Sequence, residues 1–177
     1  MKRYFIMRQD RALTGTIRLR NFNICGKGHL FHKSDADRLN HTTVLYLSPD
    51  GGEAAWDFIQ SPVNMASVML HHVLDMYEDS LIFKKVSLIH KEKDREFLYY
   101  QVLMDEIEGL SDRVERYPDQ TEKRIVLDTD KIGEHKVFLL SDSKMKDPIV
   151  HVDVAESILR RGPMGILFQE VEVDYGG

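Results

Sequence analysis

The chain carries one cysteine, Cys25, in 177 residues. One cysteine closes no internal disulfide, so nothing argues for an oxidising compartment. A core of this length also stands without disulfides or a structural metal. Long apolar runs are missing too, and no stretch approaches the ~18 residues of a membrane-spanning helix. At the N-terminus the basic pair Lys2-Arg3 leads into Tyr4-Phe5-Ile6-Met7, but Arg8 ends that run before a signal-peptide core forms. Cytoplasmic residence, with no membrane partner, is the expectation. Basic charge is not in excess either. A formal net charge of −5 argues against a nucleic-acid binder and suits a partner with a basic face.

Signatures of catalysis are scarce. Gly-x-Ser-x-Gly does not occur. Cys25-Gly26-Lys27-Gly28 lacks the spacing of a phosphate loop, so its backbone donors would not converge on a phosphate, and it reads as a tight turn. No cysteine-protease context surrounds Cys25, which reads as a small buried hydrophobe. The best metal candidate is His29-x-x-His32, with Asp35, Asp37 and His41 nearby. On a helix the first two histidines would lie one turn apart, with a carboxylate to complete the shell. The competing reading, a polar surface segment that holds histidines, is the simpler one. His71 and His72 point about 100° apart on a helix and cannot chelate together. His90, His135 and His151 stand alone. Asp105, Glu106 and Glu108, and again Asp128 and Asp130, read as solvated turns rather than acid–base pairs. Trp56 is read as a core anchor, with Tyr99 and Tyr100 weighed as binding aromatics. No catalytic, cofactor-binding or metal residue is therefore assigned, and the expectation is a protein that is not an enzyme.

What the chain does hold is an ordinary globular balance, 42% hydrophobic and 30% charged. It predicts one domain over 1–177, or two subdomains divided as 1–55 and 56–177. Arg3 to Arg8 reads as a strand, with Tyr4 and Ile6 on one face. The polar stretch from Asp10 to Asn40 reads as loops with one short element. Thr43–Leu47 reads as a strand that ends in the turn Ser48-Pro49-Asp50-Gly51-Gly52. Val63 to Tyr77 has helical spacing, with Ser61-Pro62 as N-cap and first position. Strands are expected at Leu81–Leu88, Glu96–Met104, Arg124–Leu127 and Lys136–Leu140. The last helix carries Asp153 and Glu156 at capping-box spacing, Val154, Ala155, Ile158 and Leu159 on its apolar face, and Gly162-Pro163 as its stop. A strand over Gly165–Val173 follows.

These two helix-then-strand units, 57–89 and 142–174, slide onto each other without a gap. Leu74 then falls on Leu159, Phe83 on Phe168 and Val86 on Val171. Either the chain contains an internal repeat, or two such units look alike once their periods agree. The expected class is α+β, with an antiparallel or mixed sheet.

The segment Asp57-Phe58-Ile59-Gln60-Ser61-Pro62 before a helix, and the ending from Ile149 to Arg161 followed by Gly165-Ile166-Leu167-Phe168-Gln169-Glu170-Val171, resemble a bacterial group. It is the immunity proteins of polymorphic toxin systems, a family first described as a domain of unknown function. The resemblance spans about residues 40–175. Met65 to Leu70 departs from it, because a capped, more polar helix start is expected there. The resemblance implies a small intracellular protein that binds and blocks a cognate toxin stoichiometrically, without catalytic residues or cofactor. It carries over no toxin-facing residue. Two other readings stand beside it: a metal-dependent enzyme built on His29, His32 and an acidic partner, and a scaffold whose units stack or dimerise.

Overall fold

Strand β1 (Tyr4–Gln9) has no polar face. Tyr4 and Ile6 point to one side and Phe5 and Met7 to the other, the pattern of a strand covered on both sides. The computed structural model describes residues 1–20 and 32–176, and β1 runs through the middle of a sheet. A 3-10 turn at Lys33–Arg38 precedes β2 (Thr42–Tyr46). The pair β3 (Phe58–Ile59) and β4 (Met65–Ser67) is joined by a bend that contains a cis Ser61–Pro62 bond. Helix α1 (Val68–Tyr77) follows, then β5 (Ile82–His90) and β6 (Arg95–Leu103), a hairpin whose turn ends at Asp94 with a left-handed φ of 48°. Beyond them lie β7 (Glu106–Ile107), β8 (Glu115–Arg116), β9 (Glu122–Arg124) and β10 (Val126–Asp128). The chain ends with the one-turn α2 (Thr129–Ile132), β11 (Val137–Leu140), β12 (Ile149–His151), α3 (Val152–Leu159) and β13 (Ile166–Asp174).

Two helix starts differ from expectation. Helix α1 begins at Val68, not at Ser61-Pro62, because Met65 and Ala66 are fully buried and their backbone pairs with β3 and β6. Its cap is Ser67, whose Oγ accepts the Leu70 N–H at 3.2 Å and donates to Asp57 at 2.6 Å. Helix α3 is capped by His151, whose Nδ1 accepts the Asp153 N–H at 3.3 Å. Asp153 sits inside the first turn and reaches Lys136 at 2.9 Å, so no Asp153–Glu156 capping box forms. The stop at Gly162, with φ of 62°, falls where the sequence places it.

The class is α+β. One sheet orders its strands β10-β13-β1-β12-β11-β7 and the other β2-β5-β6-β4-β3, beside the small β8-β9 ribbon. The first five strands of one match the five of the other in pairing sense: the leading pair is parallel and the next three are antiparallel. Register matches as well. Tyr4 lies between Val171 and His151, and Tyr99 between Val86 and Ser67. The backbone bonds from Ser67 to Asp57 and from Val102 to Asn64 have counterparts from His151 to Lys136 and from Met7 to Pro148. In chain order one set reads β2, β3, β4, α1, β5, β6. The other reads β10, β11, β12, α3, β13 and is completed by β1 from the opposite end of the chain. A boundary at residue 55 therefore cuts across both sheets.

The gapless slide of the two units needs one amendment. Buried Leu70, Val73 and Leu74 of α1 correspond to Val154, Ser157 and Ile158 of α3, while Leu159 is 55% exposed. The one-residue slip is taken up before the final strand, so Phe83 and Phe168 still face matching neighbours, Val102 and Met7. Both phenylalanines pack on the central core, which the two helices share with the inner faces of both sheets. Outer cores back each sheet: Tyr4, Ile6 and Phe138 behind one, Leu45, Leu88 and Tyr99 behind the other.

Candidate functional site

Cys25 to Gly28 and His29 lie outside the described residues. His32 does not gather the acids near it in sequence. Its Nδ1 is 2.7 Å from Glu106 Oε2, and only its backbone N–H reaches Asp35, at 3.3 Å. Asp35 pairs with Arg38, while Asp37 and His41 are exposed. Among the described residues no group of three or more His, Cys, Asp or Glu side chains is gathered for a metal. Asp105 and Glu106 also diverge, to Lys33 at 2.9 Å and to His32. Burial opposes ionisation of Asp105, but hydrogen bonds from Lys33 and Ser80 prevail and hold its carboxyl below the usual range. Glu108 is exposed, Asp128 caps α2 through the N–H of Asp130, and Asp130 is exposed.

Trp56 is 2% exposed and its carbonyl accepts the Tyr99 hydroxyl at 2.6 Å, so it anchors the core. Gly165 packs on that indole with φ of 78°, and a Cβ there would lie 2.6 Å from the ring. His71 stacks on Tyr100 with centroids 4.0 Å apart and meets the Phe83 edge at 4.3 Å. Burial in that stack pushes its pKa below the ordinary histidine value, although Asp75 pulls the other way. His151 is lowered by burial as well. His72 points out to solvent. His90 is buried with Nδ1 3.4 Å from Glu92, and His135 lies 3.7 Å from Glu78.

Two surface features emerge that the sequence analysis does not assign. The first is a cleft of about 300 Å³ between the β3–β4 and β11–β12 connections, which occupy equivalent places in the two sheets. Val63 and Leu139 form its apolar floor. A polar network ties its walls together. Gln9 and Gln60 exchange backbone-to-side-chain bonds of 2.8 and 3.0 Å, and Asp147 accepts from Gln60 at 2.9 Å and Arg8 at 2.7 Å.

The second is the open part of the inner face of the β2-β5-β6 sheet, which runs on beyond Phe83 and Val102, where these pack on the central core. Leu45, Val86, Leu88 and Tyr99 point into the outer core, so their strand neighbours Val44, Ser87 and Leu98 form a row on the opposite face. Tyr46, Ile89 and Glu96 form the next row. Val44, Tyr46 and Leu98 are 49%, 41% and 37% exposed, and Lys91 lies 4.2 Å above the Tyr46 ring. The equivalent part of the other sheet, beyond Phe5 and Phe168, is charged. There Arg3 pairs with Glu170 at 2.6 Å, and Arg124 Nε reaches Glu172 at 2.9 Å. The Arg3 guanidinium holds the Glu170 carboxyl below its usual range. By register, Leu98 stands where the other sheet has Arg3, and Lys85 where it has Glu170. One signal for this face was present in the sequence: Val44-Leu45-Tyr46 is apolar at successive positions, yet β2 ends the strand order of its sheet.

No known protein-family model matches the chain, and no curated protein matches it. No helix among the described residues is long and apolar enough to cross a membrane.

Proposed function

We propose that the protein is an immunity-type inhibitor that captures a cognate toxin stoichiometrically, in the cytoplasm, on the open part of the inner face of the β2-β5-β6 sheet. The observation that carries this reading is the exposure of Val44, Tyr46 and Leu98 around the buried Ser87, where the matching face carries ion pairs. Ion pairs such as Arg3–Glu170 add little stability, but they keep a sheet face wetted. Their replacement by Leu98 and Lys85 costs solubility and gives a surface that gains by being covered. Tyr46 supplies a large anchor with few rotatable bonds, and the three hydrogen-bonded strands hold it in place. The net charge of −5 favours encounter with a basic toxin. The resemblance of the C-terminal helix and strand to immunity proteins supports the class, and the open face supports the mode.

The test is co-expression with the toxin domain encoded beside this gene. The wild-type chain is expected to protect cells, and Tyr46→Ala with Leu98→Asp to remove protection while leaving the unfolding midpoint within a few degrees. Killing of cells that contain the wild-type protein overturns the reading, and full protection by the double variant removes the face from it.

A further inference from the structure

We infer that the cleft between the two sheets binds a small carboxylate carried on a short apolar body. Its walls come from equivalent connections of the two sheets, so it lies at the kind of junction where ligand sites concentrate. Its charge is not balanced. The carboxylate of Asp147 is paired with Arg8 and accepts from Gln60, and Glu106 is hydrogen-bonded to His32. Arg11 and Lys146 also line the cleft, and among the described residues neither has a carboxylate partner; the Lys146 ammonium reaches only the Ser143 carbonyl, at 3.5 Å. Around the cleft Arg8, Arg11 and Lys146 outnumber Asp147 and Glu106, and this cation excess, beside the Asn64 amide, favours an anion. A guanidinium with an amide presents planar donors that suit a planar carboxylate. A phosphate site draws instead on converging backbone N–H groups. The floor of Val63 and Leu139 adds the second requirement, because a bare ion leaves that apolar surface wet while a hydrocarbon body covers it. The volume of about 300 Å³ is at the small end of ligand pockets, which limits the body to a few carbons or one ring.

The test is an NMR titration of the full chain with hexanoate, using hexanamide and inorganic phosphate as charge-free and body-free controls. Saturable shifts confined to cleft residues are expected, with a dissociation constant on the order of 1 mM and weaker binding of both controls. Arg11→Ala with Lys146→Ala is expected to weaken hexanoate about ten-fold, and Asn64→Asp to abolish it by setting a carboxylate against the ligand. Arg11 and Lys146 are exposed and outside every core cluster, so an unchanged thermal midpoint verifies the fold of that variant. Phosphate binding as tightly as hexanoate, shifts that spread over the surface without saturating, or an affinity unmoved by the substitutions overturns the inference.

Discussion

Gly165 and Trp56 show how closely one residue can be constrained by another far away in sequence. A side chain at 165 meets the indole at 2.6 Å and also faces a φ of 78°, so two costs add. Gly165→Ala is expected to lose about 2 kcal/mol or more in urea unfolding, whereas Gly162→Ala, with open space around its Cβ, carries the backbone cost alone, about 1 kcal/mol. Histidines make a second residue-scale prediction. His71 and His151 both have folded-state pKa values below the ordinary 6.5 because burial disfavours their charged forms. The unfolded chain therefore binds more protons than the folded one as pH drops below that value. Their contribution is complete above about pH 6.5 and is lost as pH falls from there towards the lowered folded values. Urea midpoints measured from neutral pH downward should fall for the wild type and fall less steeply for His71→Leu; equal slopes would refute this account of His71.

Elements were legible where their periodicity was local. Strand β1, the β5–β6 pair, β11 and the long β13 all stand near their expected places, because alternation or an apolar run marks them. The start of α1 was not legible. Met65 and Ala66 fit a helical period and are strand, since β6 offers them backbone partners some thirty-five residues further on. The cap Ser67 has no acid three residues later, so its role shows only in its bonds to Leu70 and Asp57. Ser67→Ala is expected to cost about 1 kcal/mol. The α3 alignment offers a sharper test. If Leu74 answers to Ile158, then Leu74→Ala and Ile158→Ala should each lose about 2–5 kcal/mol, with Leu159→Ala near 0.5 kcal/mol or less. A large loss at Leu159 would restore the gapless alignment.

At the scale of the whole molecule, sequence patterning conveys the α+β class but not the partnership of the chain ends. Neither the cleft nor the open face follows from spacing, because each joins residues from strands that meet only through sheet order. Strand β13 ends where β1 begins, with Val171 opposite Tyr4 and the Tyr175 hydroxyl donating to the Lys2 carbonyl at 3.0 Å. The β5–β6 hairpin makes the same connection in the other sheet with a short turn. A circular permutant that joins Tyr175 to Lys2 by a few glycines and opens the chain at the exposed residues 11–15 is therefore expected to fold. Its circular dichroism and unfolding cooperativity should match the wild type, and a non-cooperative melt would show that the two sheets are not interchangeable in connection.

The position of β1 also has a consequence for biosynthesis. Strand β1 has apolar side chains on both faces, and its partners β12 and β13 are made long after it. It must wait, unpaired and adhesive, until those partners have been made. The sheet that β1 joins is thus barred from completing before β13 is made, and a nascent-chain protease assay should find the β2-β5-β6 sheet protected well before it.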